Sequence, residues 1–92
     1  MKINFYATLR QIVGGKSVNF PEAQGITVQQ MLEEIFTRFP IMRKELIAPD
    51  GNLYGHVHIF INGRDVLQLA QGMDYVIQAG DIINIFPAVG CG

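Results

Sequence analysis

The sequence has little of what builds chemistry by itself. It holds one cysteine in 92 residues, so no internal disulfide can form and no thiolate cluster can bind a metal. Neither charge is in excess: seven Lys and Arg face eight Asp and Glu, for a formal net charge of −1. That leaves no electrostatic footprint for nucleic acid or for an anionic membrane. No apolar run approaches the roughly 18 residues needed to cross a bilayer, and the opening residues Met1 to Arg10 lack the basic-then-apolar order of a secretion signal. These absences predict a cytoplasmic protein with no nucleic-acid and no membrane partner. Charged residues are only 16% and hydrophobic residues 49% of the chain, which excludes disorder. A chain of this length makes one domain of the usual roughly 50–200 residues, with one core and no deep, walled cleft.

What is present is periodic. Ile3, Phe5 and Ala7 alternate with Lys2, Asn4 and Tyr6, the period of two of a half-buried strand. Thr8 to Gly15 reads as a loop or a short helical turn ending in the breaker Gly14-Gly15, and Lys16 to Phe20 as a second strand stopped by Pro21. Thr27 stands where an N-cap is preferred, ahead of a stripe of Val28, Leu32, Ile35, Phe36 and Phe39 at helical spacing. Gln29, Gln30, Glu33, Glu34 and Arg38 take the opposite side, and Pro40 ends the helix near Phe39. A further helical turn is expected over Met42 to Ile47, then a turn at Pro49 to Gly51. His56 to Ile61 alternates again, with Val57, Ile59 and Ile61 inward. Asn62-Gly63 predicts a tight type I′ hairpin with Arg64 to Leu67 pairing back, Leu69 to Ala79 reads as irregular, and Gly80-Asp81 turns the chain into a last strand, Ile82 to Phe86. One amphipathic helix covered by one sheet is an α+β roll, in which the first and last strands can lie side by side. Residues 1–87 form this domain, and residues 88–92, with little side chain to bury, form a flexible tail.

Four blocks carry a resemblance over nearly the whole chain: FYATLRQIVG (5–14), TVQQMLEEIFTRFP (27–40), PDGNLYGHVHIFINGRDV (49–66) and AGDIINIFPAVGCG (79–92). They resemble the ubiquitin-like β-grasp sulfur carriers, most closely the molybdopterin synthase small-subunit (MoaD) type. The resemblance implies a β-grasp roll, a mixed sheet on one main helix, whose C-terminal glycine is the working group. In this family a ubiquitin-activating-like adenylyltransferase spends ATP to adenylate that glycine, and a cysteine persulfide converts it to a thiocarboxylate. The tail then delivers sulfur inside the large subunit of molybdopterin synthase or an equivalent acceptor enzyme. The carrier is no enzyme itself, binds no cofactor and holds no metal. By this resemblance Gly92, taken as the native terminus, is the reactive residue, and Pro87, Val89, Gly90 and Cys91 belong to its tail. Thiamine, cysteine or secondary-metabolite synthesis, protein modification and a non-activated interaction role are the other outcomes.

The physical logic agrees. A carboxylate is a poor electrophile until it is given a leaving group, and the groups that do so belong to the partner. Glycine permits close backbone approach in a narrow channel where a Cβ would clash. The family's tails end in two adjacent glycines, and here Cys91 stands in place of the first. Three consequences stay open: the tail is activated as it is, is trimmed to Gly90, or uses the Cys91 thiol for chemistry of its own.

Tyr6, Phe60 and Phe86 fall on strand faces opposite the core residues. If their strands are adjacent they make an aromatic patch beside the tail, a candidate partner-docking face, unless the segment from Met42 to Tyr54 folds over them. His56 and His58 lie two apart on one strand face, but two ligands without a third make a poor metal site, and a solvated or partner-facing pair is expected. Glu33, Glu34, Arg38, Arg43 and Lys44 read as a solvated face of mixed charge.

Overall fold

The structure is a computed structural model that describes residues 1–87. The tail expected at residues 88–92 lies outside the described residues. The element order is β1 (Lys2–Phe5), α1 (Leu9–Val13), β2 (Ser17–Asn19), α2 (Val28–Arg38), α3 (Ile41–Leu46), β3 (His58–Ile61), β4 (Arg64–Asp65) and β5 (Ile83–Phe86). Five strands form one mixed sheet in the order β2-β1-β5-β3-β4. β1 and β5 pair in parallel at the centre, with Ile3 opposite Ile83 and Phe5 opposite Ile85, while every other pairing is antiparallel. This is the expected α+β roll.

The inner sheet face and α2 share one core. Ile3, Phe5, Ile59, Ile83 and Ile85 are fully buried against Val28, Met31, Leu32 and Ile35, with Phe20, Leu9, Met42 and Leu46 closing the ends. α2 starts where its cap dictates. The Thr27 hydroxyl accepts from the Gln30 N–H at 3.1 Å, and the Gln30 side chain accepts from the Thr27 N–H at 2.9 Å, a reciprocal capping box. The helix is one side chain wider at the core than the expected stripe, because Met31, three residues after Val28, is also buried. Phe39 is only half-buried, since it is the C-cap and has left helical geometry.

Strand ends differ from expectation for local reasons. Ala7 does not point inward: β1 stops at Phe5, and Ala7 is exposed with φ of 53° at the entry to α1. β2 covers only Ser17–Asn19 of the expected Lys16 to Phe20. β3 begins at His58 rather than His56, and β5 at Ile83, leaving Ile82 exposed. The Asn62-Gly63 turn has positive φ at both residues, 53° and 82°, as a type I′ hairpin requires. Its return strand ends at Asp65 instead of Leu67, because the Asp65 carboxylate caps a 3-10 turn over Val66–Gln68.

The irregular segment before β5 is held by an antiparallel bridge of Val76 to Thr27 and by one carboxylate. Asp81 accepts from the Gln78 N–H, the Tyr75 hydroxyl and the Asn62 amide, each at 2.8 Å, and the Asn62 oxygen accepts from the Ile82 N–H at 2.8 Å. Burial pushes the Asp81 carboxyl up, but these three donors together outweigh it and leave its pKa below the ordinary 3.8. The hydrogen bond to Asp81, with burial and the carboxylate charge behind it, pushes the Tyr75 phenol above its ordinary 10.0.

Candidate functional site

The candidate site is built on the ends of β1, β3 and β5. Because side chains alternate across a strand, burying Phe5, Ile59 and Ile85 turns Tyr6, Phe60 and Phe86 to the other face. The strand order β1-β5-β3 then sets these three side by side. The Tyr6 and Phe86 rings stack with centroids 4.2 Å apart and planes 14° apart, and Phe60 meets Phe86 edge-on at 5.5 Å. Such pairs add about 0.5–1.5 kcal/mol beyond area burial. All three remain partly exposed. The segment from Met42 to Tyr54 does not take them into the core. It buries Met42 and Leu46 and packs Ile47, Leu53 and Tyr54 against the core cluster.

Polar groups fix this patch. The Asn84 side-chain oxygen accepts from the Asn4 amide at 2.9 Å and from the Tyr6 hydroxyl at 3.1 Å, tying β1 to β5 on the outer face. Arg10 donates through Nε to the Phe5 carbonyl at 2.8 Å and lays its guanidinium 5.0 Å from the centre of the Tyr6 ring. Sequence periodicity shows which face carries Tyr6, but not that Asn4, Arg10 and Asn84 would brace it. The Asn84 bonds arise from the β1–β5 register, which no local signal records, while the Arg10 contacts are made within the turn from β1 into α1.

Pro87 follows directly, is buried, and ends the ladder. It forms part of the wall of a cleft of about 300 Å³ whose other described lining residues are Thr8, Lys44, Glu45, Tyr54 and His56. The outer face and this cleft therefore meet where the chain leaves the sheet. Val89, Gly90, Cys91 and Gly92, named from the sequence, lie outside the described residues.

The two histidines separate. His56 lies before β3 with its ring 6.5 Å from that of Tyr54, while His58 bonds through Nδ1 to Asp65 at 2.9 Å. Among the described residues no three His, Cys, Asp or Glu side chains gather to hold a metal ion. The charges on α2 and α3 are solvated as expected, with exposed pairs Arg43–Glu33 at 2.7 Å and Arg38–Glu22 at 3.4 Å. No helix among the described residues is long and apolar enough to cross a membrane.

The model of the ThiS family matches residues 3–92, almost the whole chain. The chain belongs to the ThiS family. Its sheet order and single main helix are those of the ubiquitin-like β-grasp fold shared by its relatives. Small archaeal modifier protein 3 of Haloferax volcanii is 33% identical over 92 residues, covering 100% of this chain and 98% of the relative. A putative sulfur carrier protein of Archaeoglobus fulgidus is 30% identical over 71 residues, 77% of this chain and 80% of the relative. A chain in the crystal structure of the Amycolatopsis orientalis BexX/CysO complex superposes with a TM-score of 0.77 at 26% identity, covering 99% of this chain and 98% of that one. This ThiS-family chain is thus a small ubiquitin-like protein of the carrier and modifier kind.

Proposed function

We propose that this chain is a sulfur carrier in which Gly92, as the working terminus, is adenylated by a ubiquitin-activating-like adenylyltransferase and converted to a thiocarboxylate. The observation that carries this reading is the braced aromatic stack of Tyr6, Phe86 and Phe60 at the point where Pro87 leads out of the sheet. A rigid apolar face beside the exit of a glycine-containing terminus is what a partner needs to grip a carrier while it works on the end of the chain. The chain contributes the docking face and the acyl group. ATP and the persulfide sulfur come with partners, and the carrier holds no cofactor. The acceptor in this reading is the large subunit of a molybdopterin synthase or an equivalent sulfur-acceptor enzyme. Cys91 is a small side chain that a slightly wider channel accommodates, and trimming would expose Gly90 as the reactive residue instead.

Intact-mass analysis of the chain incubated with its host's adenylyltransferase, ATP and a sulfur donor tests this. The expected product carries one oxygen-for-sulfur exchange on its terminal glycine. No exchange on Gly92 or Gly90, with an active partner, overturns the reading. The full-length likeness to a modifier protein favours a second reading, attachment of the same activated glycine to lysines of other proteins. Remnants of the tail isopeptide-linked to cellular proteins would establish it.

A further inference from the structure

Beside Phe60 and Phe86 the outer face carries a polar group, His58, that neither the stack nor its bracing uses. His58 is 46% exposed at its side chain, its ring lies 5.9 Å from that of Phe60, and its cross-strand neighbour on β5 is Phe86. Its Nδ1 is 2.9 Å from Oδ2 of Asp65. Asp65 is held in turn, because its other oxygen accepts from the Leu67 N–H at 2.9 Å and its side chain is only 18% exposed. An ionised carboxylate only accepts hydrogen bonds, so the ring proton sits on Nδ1. In the neutral ring Nε2 is then a bare acceptor, and it bonds to no described residue. The neighbouring polar groups are engaged within the face, the Tyr6 hydroxyl and the Asn4 amide both donating to Asn84.

We propose that His58 is a specificity determinant of the docking face. In its neutral form, with its tautomer set by Asp65, it offers one hydrogen-bond acceptor beside Phe60 and Phe86. It thereby selects a partner surface that combines an apolar wedge with an N–H or O–H donor. The inference rests on the reading of this face as the surface gripped by the adenylating partner. Its discrimination is physical. A wholly apolar partner buries the Nε2 lone pair unpaired. A donor satisfies Nε2 and fixes the register in which the aromatic rings are covered.

Two measurements test it. Long-range proton–nitrogen NMR of the intact chain, recorded with the ring neutral, is expected to show the Nδ1–H tautomer at His58. An Nε2–H ring overturns the proposal. In titrations with the host's adenylyltransferase, His58→Phe keeps a ring, removes the acceptor, and is expected to weaken binding about 5- to 20-fold, with a melting temperature lowered by only the few degrees that loss of the Asp65 bond accounts for. His58→Gln, which places an amide oxygen near the position of Nε2, is expected to recover most of the loss. Unchanged affinity in His58→Phe, or no recovery in His58→Gln, overturns the assignment. Phe60→Asp measured alongside separates the two levels. If it binds as the parent chain does, the docking-face reading falls and this inference with it. If it alone loses binding, the face stands and the role of His58 falls.

Discussion

The two faces of the sheet come from the same strands and differ in what they are made of. Inward, Ile3, Phe5, Ile59, Ile83 and Ile85 are fully buried and interact only by filling space. Outward, their chain neighbours Asn4, Tyr6, Phe60, Asn84 and Phe86 stay partly exposed and hold one another through groups with direction, rings that stack and amides that bond. Aliphatic packing tolerates exchange at constant volume, so the inner face specifies the fold and says little about use. Ordering a half-exposed face has an entropic cost that the core does not require. On the docking role proposed above, its value lies in a surface already shaped before a partner arrives.

The strongest way to test that division is to damage the inner face. Ile85→Ala, at the centre of the sheet, is expected to cost about 2–5 kcal/mol, read by urea unfolding. A loss under 1 kcal/mol would mean that the outer face carries stability assigned to the core. The next test is Phe60→Asp, expected to leave the melting temperature within a few degrees while weakening binding to the adenylating partner by tenfold or more. Equal losses in both measurements would erase the distinction between the faces.

The smallest effect concerns Asp81, which secures the entry to β5 and so serves both faces. Its pKa is lowered in the folded chain. The stability it adds is therefore fully present above the ordinary 3.8 and is lost as pH falls through the lower folded value. Tyr75 behaves oppositely: its raised pKa adds stability present below 10.0 and lost as pH rises through the higher folded value. Asp81→Asn is expected to cost about 1 kcal/mol near neutrality and to flatten the acid limb of unfolding free energy against pH. An acid limb of unchanged steepness would remove Asp81 from this role.

Much of this could be read from the residues in order. Alternation at Ile3 and Phe5, the cap at Thr27, the stripe on α2 and the positive φ demanded by Asn62-Gly63 are local signals, and each has its counterpart in the structure. The outward parity of Tyr6, Phe60 and Phe86 was equally legible. What joins distant segments was not. The bond from Asn4 to Asn84 spans 80 residues of chain, and its existence depends on the parallel register of β1 with β5. The His58–Asp65 pair looks local, yet it needs the return strand to end early so that Asp65 can turn into its cap. Ala7 departs from the pattern because its apolar side chain fits the alternation while its backbone has already left the strand.

The placement of β5 also has a mechanical side. The strand is clamped along both edges, by β1 in parallel and by β3 antiparallel. Tension applied at Pro87 runs along its axis, so both ladders are loaded together in shear instead of peeling open one bond at a time. Resistance to such a pull is governed by the rate of unfolding rather than by equilibrium stability. On the function proposed above, a partner pulling on Pro87 would therefore not unravel the domain. The parallel pairing also puts Met1 at the far end of the sheet, where a bulky fusion would not crowd Pro87.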